Sequence, residues 1–164
     1  MLKEKNSLEF HAAQLFADLY SRSHGTKLKF VELHKPPEPD ALCELGGEKL
    51  GIEIVHIYGT ETDAKRVLNR KLREPLGEEE LMANRLCSLE QKIPFALSQV
   101  IYSKAAKSYL GDRLWLVIRN AFPLWYKDDF VRYLERISLP TIHHFEQIWL
   151  VCDARGKSGL LRIY

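Results

Sequence analysis

The strongest constraint on the fold is a Gly-Gly pair set between two short apolar runs. Gly46 and Gly47 separate "DALCEL" (40–45) from "EKLGIEIV" (48–55). Apolar and polar residues alternate in both runs, which is typical of half-buried strands. Paired glycines favour a tight turn between such strands because they accept positive φ angles at low cost. The stretch is therefore predicted to form an antiparallel β-hairpin.

The length of the hairpin loop decides where two carboxylates lie. With a two-residue loop, Asp40 lies directly opposite Glu53, and opposed residues have Cβ atoms roughly 4.5–5.5 Å apart on one face. A four-residue loop places Asp40 opposite Val55 with Glu53 diagonal to it, still on the same face, whereas a three-residue loop separates the two acids. The two-residue loop also pairs Glu44 with Lys49, and this favourable cross-strand pair supports it.

Two interpretations of Asp40 and Glu53 remain open from their spacing. Opposed like charges destabilise a strand pair unless a cation lies between them, and hard cations such as Mg²⁺ bind carboxylate and carbonyl oxygens. Alternatively, both acids are solvated at the end of the sheet, each beside a basic residue. Gly51 shares their face and leaves room for a close approach. The opposite face of the hairpin is entirely apolar and is predicted to be a core face: Ala41, Cys43, Leu45, Leu50, Ile52 and Ile54.

Hydrophobic periodicity divides the rest of the chain into alternating helices and strands. The first predicted elements are a helix at 7–23 capped by Ser7, a slightly irregular strand at 27–34 and the hairpin. A helical region from Thr60 or Thr62 onward follows, and then a helix opened by Pro94 and ending near Tyr109. The last predicted elements are a strand at 113–120, a helix at 127–137, and strands at 145–153 and 159–164. A strand meander followed by helical crossovers predicts the α/β class, with a mixed central sheet and flanking helices. A length of 164 residues predicts a single domain over residues 1–164.

Composition argues against a membrane-spanning or disulfide-stapled protein. No apolar run is long enough to span a bilayer, and "MLKEKNSLEF" lacks the apolar centre of a secretion signal. The three cysteines are scattered and odd in number, which predicts reduced thiols in a cytoplasmic protein.

Charge is informative through its distribution more than its total. A net charge of +2 is too small to require a nucleic-acid partner. The segment "AKRVLNRKLR" nevertheless holds five basic residues in ten. Such a run is either a solvated helix face or a nucleic-acid contact. Its candidate contact residues are Lys65, Arg66, Arg70 and Lys71.

The hairpin resembles the motif of the PD-(D/E)xK nuclease superfamily, whose members have the restriction-endonuclease-like fold. The Pro-Asp of that motif matches Pro39-Asp40, and its second acid matches Glu53 in "GIEIV". The order helix, three strands, helix, strand matches the αβββαβ core of that fold over roughly residues 7–120. The downstream segment "VIYSKAAKSYLGDRLWLVI" is similar to segments of some prokaryotic branches.

The resemblance implies a Mg²⁺- or Mn²⁺-dependent endonuclease that hydrolyses phosphodiester bonds in DNA, commonly as a homodimer. Asp40 and Glu53 would bind the metal together with the Ile54 carbonyl. The ion would polarise the phosphate and lower the pKa of the attacking water. Glu9 on the first helix would join the site, unless it is an ordinary exposed acid favoured by the helix dipole.

The sequence departs from the family pattern at the catalytic lysine. Val55 occupies that position, and valine cannot orient water or stabilise negative charge. Lys49 is a poor substitute because it lies about 13 Å from Glu53 along the strand at ~3.3 Å per residue. Lys65 and Arg66 follow the third strand and are further candidates.

Lys104 is the most specific candidate for the missing lysine. It lies on the border of the apolar stripe of its predicted helix, where it either snorkels to water or reaches the carboxylates. Lys107 continues this row, and Gln99, one turn earlier, is either an exposed glutamine or a contact to a phosphate or base. His56 is predicted to be partly buried, with a satisfied ring nitrogen.

Two other functions remain open because of Val55. The first is a catalytically inactive member of the fold that binds nucleic acid or a protein partner. The second is an interaction protein that shares the fold and binds neither metal nor DNA, since fold alone does not determine function.

Overall fold

The computed structural model of the protein describes residues 2–59 and 89–164, with side chains from residue 6 onward, and its described strands form one sheet. The described helices are α1 (Leu2–His24), α2 (Leu89–Ala105) and α3 (Lys127–Tyr133), the last continued by a 3-10 turn (Leu134–Arg136). The strands are β1 (Leu28–Leu33), β2 (Ala41–Leu45), β3 (Glu48–Ile57), β4 (Leu114–Asn120), β5 (Gln147–Val151) and β6 (Leu160–Arg162).

The six strands lie in the sheet in the order in which they occur along the chain. Strands β1, β2 and β3 form an antiparallel meander, β3, β4 and β5 run parallel, and β6 returns antiparallel to β5. The predicted α/β class with a mixed sheet and flanking helices is confirmed. Along the chain, α2 lies between β3 and β4, and α3 lies between β4 and β5. This is expected, because parallel neighbours need a crossover connection.

The hairpin forms with the two-residue loop. Gly46 and Gly47 have φ angles of 61° and 86°, which suit a tight turn with positive φ at both central positions. Cys43 pairs with Leu50, and Ala41 pairs with Ile52. One further step in this register sets Asp40 opposite Glu53, as predicted.

The sheet separates two hydrophobic cores. On one side, α1 packs against alternate strand residues, and we call this the α1 core: Ala12, Ala13, Phe16, Ala17, Tyr20, Leu28, Ala41, Cys43, Leu50, Ile52, Ile54, Trp115, Val117, Trp149 and Val151. On the other side lies the α2 core: Ile57, Ile93, Ala96, Leu97, Ile101, Leu114, Leu116, Ile118, Trp125, Phe130, Phe145, Ile148 and Leu150. The predicted apolar face of the hairpin is therefore confirmed, and it packs against α1.

Several element boundaries differ from the predicted ones. Helix α1 begins at Leu2, so Ser7 lies inside the helix and does not cap it. Residues 2–6 contain no glycine or proline that would stop the helix earlier. Helix α2 ends at Ala105 instead of near Tyr109, and Pro94 lies inside it. The predicted irregularity in β1 is confirmed between Phe30 and Glu32.

The predicted helical segments between Thr60 and residue 88 lie outside the described residues. Among the residues that the structure describes, no helix has both the length and the apolar character needed to cross a membrane.

Candidate metal centre

Asp40 is anchored directly before β2 through three hydrogen bonds. Its carbonyl accepts one from the His34 N–H at 3.0 Å, and its own N–H donates to Glu53 Oε2 at 3.3 Å. Its Oδ2 accepts from the Ile54 N–H at 2.9 Å. Only 8% of Asp40 is exposed. The carboxylate is thus tied to the backbone of β3 and is not solvated at the end of the sheet.

Glu53 and Lys104 complete the cluster from β3 and α2. Glu53 is 5% exposed, and it lies beside Leu116 of β4, on the α2 side of the sheet. Lys104 Nζ donates to Glu53 Oε1 at 2.6 Å and lies 3.9 Å from Asp40 Oδ2. The structure therefore brings together the three residues that were predicted to be catalytic, and Lys104 reaches the carboxylates instead of extending to water.

The electrostatics of the cluster are unbalanced. Burial raises the pKa of Glu53 and the nearby Asp40 charge raises it further, while the hydrogen bond from Lys104 lowers it; the net shift is upward. Among the described residues, Lys104 is the one cation within 4 Å of either carboxylate. With both acids ionised, two negative charges share one ammonium group in a buried place, which favours binding of a further cation.

The backbone leaves a third oxygen close to these carboxylates. The N–H and C=O of one strand residue point to the same strand edge, and the Ile54 N–H points to Asp40. The Ile54 carbonyl therefore faces the edge where β2 has not yet begun. No described residue donates a hydrogen bond to Asp40 Oδ1. Oxygens of Asp40, Glu53 and Ile54 are the donor type that Mg²⁺ or Mn²⁺ requires, so these residues fit the ion.

Glu9 does not join this cluster. Within residues 2–59 and 89–164, no group of three or more acidic, histidine or cysteine side chains is arranged to hold a metal ion. Glu9 belongs to α1, which packs on the opposite face of the sheet from Glu53. The alternative prediction of an exposed acid is also wrong, because Glu9 is only 8% exposed.

A cleft opens beside Lys104 along α2. It has a volume of about 510 Å³, and its described lining comprises Val55, Gln99, Val100, Tyr102, Ser103 and Lys104. Gln99 is exposed on this cleft, and Lys107 is exposed just beyond the end of α2. The other predicted nucleic-acid contacts, Lys65, Arg66, Arg70 and Lys71, lie outside the described residues.

Tyr109 is part of the site although its sequence context gave no signal. Its hydroxyl donates to the Lys104 carbonyl at 3.1 Å. Burial raises the pKa of Tyr109, and the negative charges of Glu53 and Asp40 add to this effect. Tyr109 follows the last turn of α2, so only the fold brings it back to the helix. It holds the backbone of Lys104 in place.

Gly51 explains how the Pro-Asp motif is positioned. A Cβ atom added at Gly51 would lie 2.6 Å from Pro39 Cγ and 3.3 Å from the Arg113 carbonyl oxygen. The close approach predicted at Gly51 is therefore made by the ring that precedes Asp40.

His56 differs from its prediction. It is partly buried, but its Nε2 finds no hydrogen-bond partner among the described residues. Burial lowers the pKa of His56 to about 4, and the positive charge of Arg119 adds to the shift. Nε2 is therefore not the satisfied ring nitrogen that the prediction requires.

Comparisons with protein-family models, curated proteins and solved structures found no match for this chain. The fold and the site themselves define its class: an α/β protein with a buried paired-carboxylate centre. Its function is inferred from the geometry of Asp40, Glu53 and Lys104.

Proposed function

We propose that the protein is a metal-dependent nuclease of the restriction-endonuclease-like fold, which hydrolyses phosphodiester bonds in DNA with Mg²⁺ or Mn²⁺. The observation that carries this proposal is the pair of buried carboxylates that shares a single ammonium group. The described order of α1, β1, β2, β3, α2 and β4 supports the proposed fold, because it matches the αβββαβ core.

Asp40, Glu53 and the Ile54 carbonyl are the proposed metal ligands. When bound, the metal supplies Lewis-acid chemistry that polarises the phosphate and lowers the pKa of the attacking water. With Glu53 as a ligand, the ammonium group of Lys104 would lie beside the bound ion. Its positive charge would stabilise the negative charge that develops on the phosphate. Lys104 thereby takes the role that Val55 cannot perform.

Tyr109 and Gly51 are proposed to position these groups. The Tyr109 hydroxyl fixes the Lys104 backbone, which limits the directions in which the lysine side chain extends. Gly51 allows Pro39 to pack closely, and this holds Asp40 at the start of β2. Preorganised charges contribute more to catalysis than mobile ones because they need no rearrangement during the reaction.

A catalytically inactive member of the same fold is the second candidate. It is favoured by Val55 and by the 2.6 Å contact between Lys104 and Glu53, which joins α2 directly to β3. In this alternative the cluster stabilises a nucleic-acid-binding or protein-interaction module.

Cleavage of supercoiled plasmid and of single-stranded DNA with Mg²⁺ or Mn²⁺ separates the two candidates. We expect cleavage by the wild type and a loss of roughly 100-fold or more in Glu53→Gln and Lys104→Ala, comparable to the removal of one transition-state contact. Glu44→Gln is the matched control, since Glu44 lies exposed on the same hairpin, and it should keep wild-type activity.

Two results would count against the nuclease. An inactive wild type with both metals favours the binding module, and full activity in Glu53→Gln removes the carboxylate site from the reaction.

We expect cleavage of both strands to need two copies of the chain, so the rate should rise more steeply than linearly with protein concentration.

A further inference from the structure

One side of α2 exposes two aromatic rings next to the candidate metal centre. Phe95 is 56% exposed and Tyr102 is 47% exposed. Seven residues correspond to two helical turns, so these rings lie on one side of α2 about 10 Å apart along its axis. Gln99 lies between them, four residues after Phe95 and three before Tyr102. We call Phe95, Gln99, Tyr102 and Ser103 the aromatic face of α2.

A cleft connects part of the aromatic face with the metal centre. Gln99, Tyr102 and Ser103 line it together with Lys104, and Lys104 Nζ contacts Glu53 Oε1. Phe95 and Tyr102 project from the side of α2 opposite Lys104, since spacings of nine and two residues each leave about half a helical turn. A strand stacked on the two rings therefore reaches Lys104 by passing around α2 through this cleft.

The Tyr102 ring is held in place while its surface stays accessible. Its hydroxyl donates to the Leu139 carbonyl at 3.2 Å and lies 3.2 Å from Ser138 Oγ. These contacts fix the outer end of the side chain. A fixed aromatic surface loses little conformational entropy when another ring stacks on it.

The chemistry of this face fits unpaired nucleobases. Aromatic side chains stack on bases of any sequence, and the Gln99 amide both donates to and accepts from base edges. The exposed Lys107, just beyond the end of α2, suits the phosphates of the same strand. In a duplex the faces of the bases are covered by their neighbours, so only unpaired bases can stack here.

The depth of the metal centre favours the same substrate. Lys104 has a side chain only 15% exposed, and both carboxylates are buried more deeply. A phosphate on a flexible strand enters such a recess more readily than one on a rigid duplex. We propose that the aromatic face of α2 binds single-stranded nucleic acid and presents its backbone to the metal centre. The cleavage part of this inference rests on the proposed nuclease function, whereas the binding part does not.

Binding of a labelled single-stranded oligonucleotide and of its duplex, measured by fluorescence anisotropy in EDTA, tests the inference. Phe95→Leu and Tyr102→Leu keep an apolar side chain but remove the ring. Each should weaken single-strand binding roughly 5- to 150-fold, the range for losing one base–aromatic stack. Tyr102→Phe keeps the ring, and Tyr126→Leu changes an exposed tyrosine outside α2, so both should bind like the wild type.

Several results would overturn the inference. The first is that the wild type binds single strand and duplex with equal affinity. The second is that Tyr102→Leu binds like the wild type. The third is that Tyr102→Phe binds more weakly, which would assign the effect to the hydroxyl. A homodimer that dissociates in Phe95→Leu or Tyr102→Leu, seen by analytical ultracentrifugation, would assign this face to a second copy of the chain.

The binding assay and the DNA cleavage assay test two different proposals, and either proposal can fail without the other. A wild type that cleaves no DNA but prefers single strands through Phe95 and Tyr102 overturns the nuclease and supports the aromatic face. A wild type that cleaves DNA and shows no effect of these substitutions supports the nuclease and overturns the aromatic face.

Discussion

At the scale of single residues, Lys104 has two opposing effects on the metal centre. Its ammonium group neutralises part of the charge on Asp40 and Glu53, which stabilises the fold without a metal. The same contact occupies Glu53 Oε1, an oxygen that a cation needs. The lysine that supports the proposed reaction therefore also competes with the metal for its ligand.

Replacing Lys104 by methionine separates these effects. We expect Lys104→Met to bind Mn²⁺ more tightly than the wild type, because two carboxylates lose their competing cation. Without metal, it should lose about 3 kcal/mol of unfolding free energy, since the buried charges lose their partner. Isothermal titration calorimetry and urea unfolding measure the two effects. Lys107→Met, an exposed control, should change neither, and weaker metal binding in Lys104→Met would contradict the competition.

His56 should give the protein a distinct response to acid. Its folded-state pKa of about 4 lies below its ordinary value of 6.5. As pH falls from 6.5 to 4, the unfolded chain takes up a proton that the folded chain does not, so stability is lost across this window. The loss should be about 3 kcal/mol, since the pKa falls from 6.5 to about 4 and one pKa unit corresponds to about 1.4 kcal/mol.

Urea unfolding at several pH values compares His56→Leu with the wild type. The variant should show a shallower loss of stability between pH 6.5 and 4, because it lacks the group that titrates there. His144→Leu changes an exposed histidine and should keep the wild-type slope. An unchanged slope in His56→Leu would assign the acid response to other groups.

At the scale of the elements, the β2–β3 hairpin is the part of the structure that the sequence specifies most completely. Gly46 and Gly47 determine the loop, and the loop determines which residues are opposed. The alternation along β2 and β3 then assigns the apolar face to α1. Gly51 packs against Pro39, which lies in the proline-rich segment before β2. The local sequence pattern gives no information about this contact.

Gly51→Ala tests how packing in the hairpin positions Asp40. The new Cβ would collide with Pro39, and overpacking of this kind costs roughly 1–3 kcal/mol. We expect lower stability and weaker Mn²⁺ binding, because displacement of Pro39 carries Asp40 with it. Pro39→Ala removes the colliding ring atom, so the double variant should recover part of both losses. Strictly additive effects in calorimetry and urea unfolding would show that the two residues are not coupled.

Helix α2 shows why sequence predicts a helix better than it predicts what the helix contacts. The apolar stripe through Leu97 and Ile101 predicted the buried side of α2, and both residues are fully buried. Lys104 lies at the border of that stripe, where the same pattern fits a lysine in water and a lysine under the helix. Only the position of β3 beneath α2 distinguishes these two placements of the lysine. Tyr109 reaches Lys104 because the chain turns back after the helix.

At the scale of the whole molecule, the metal centre joins three elements that are far apart in the sequence. Asp40 directly precedes β2, Glu53 lies in β3 and Lys104 lies near the end of α2. The order of elements was predictable because each has its own periodicity. The pairing of distant strands was not, because the sequence does not encode which strand follows another across a parallel crossover. The centre thus depends on elements separated by more than fifty residues, and a ligand bound there should stabilise the entire fold.

Thermal unfolding measures this stabilisation directly. A ligand at 100 times its Kd stabilises the folded state by about 2.7 kcal/mol, and each kcal/mol raises Tm by roughly 2–4 °C in a chain of this size. Saturating Mn²⁺ should therefore raise the Tm of the wild type by about 5–10 °C. Asp40→Asn and Glu53→Gln should abolish the shift, because each removes one of the two anionic ligands. Glu44→Gln should keep it, since Glu44 lies on the hairpin away from the proposed ligands. A shift of equal size in Asp40→Asn would show that the ion binds elsewhere and that the paired carboxylates are not its site.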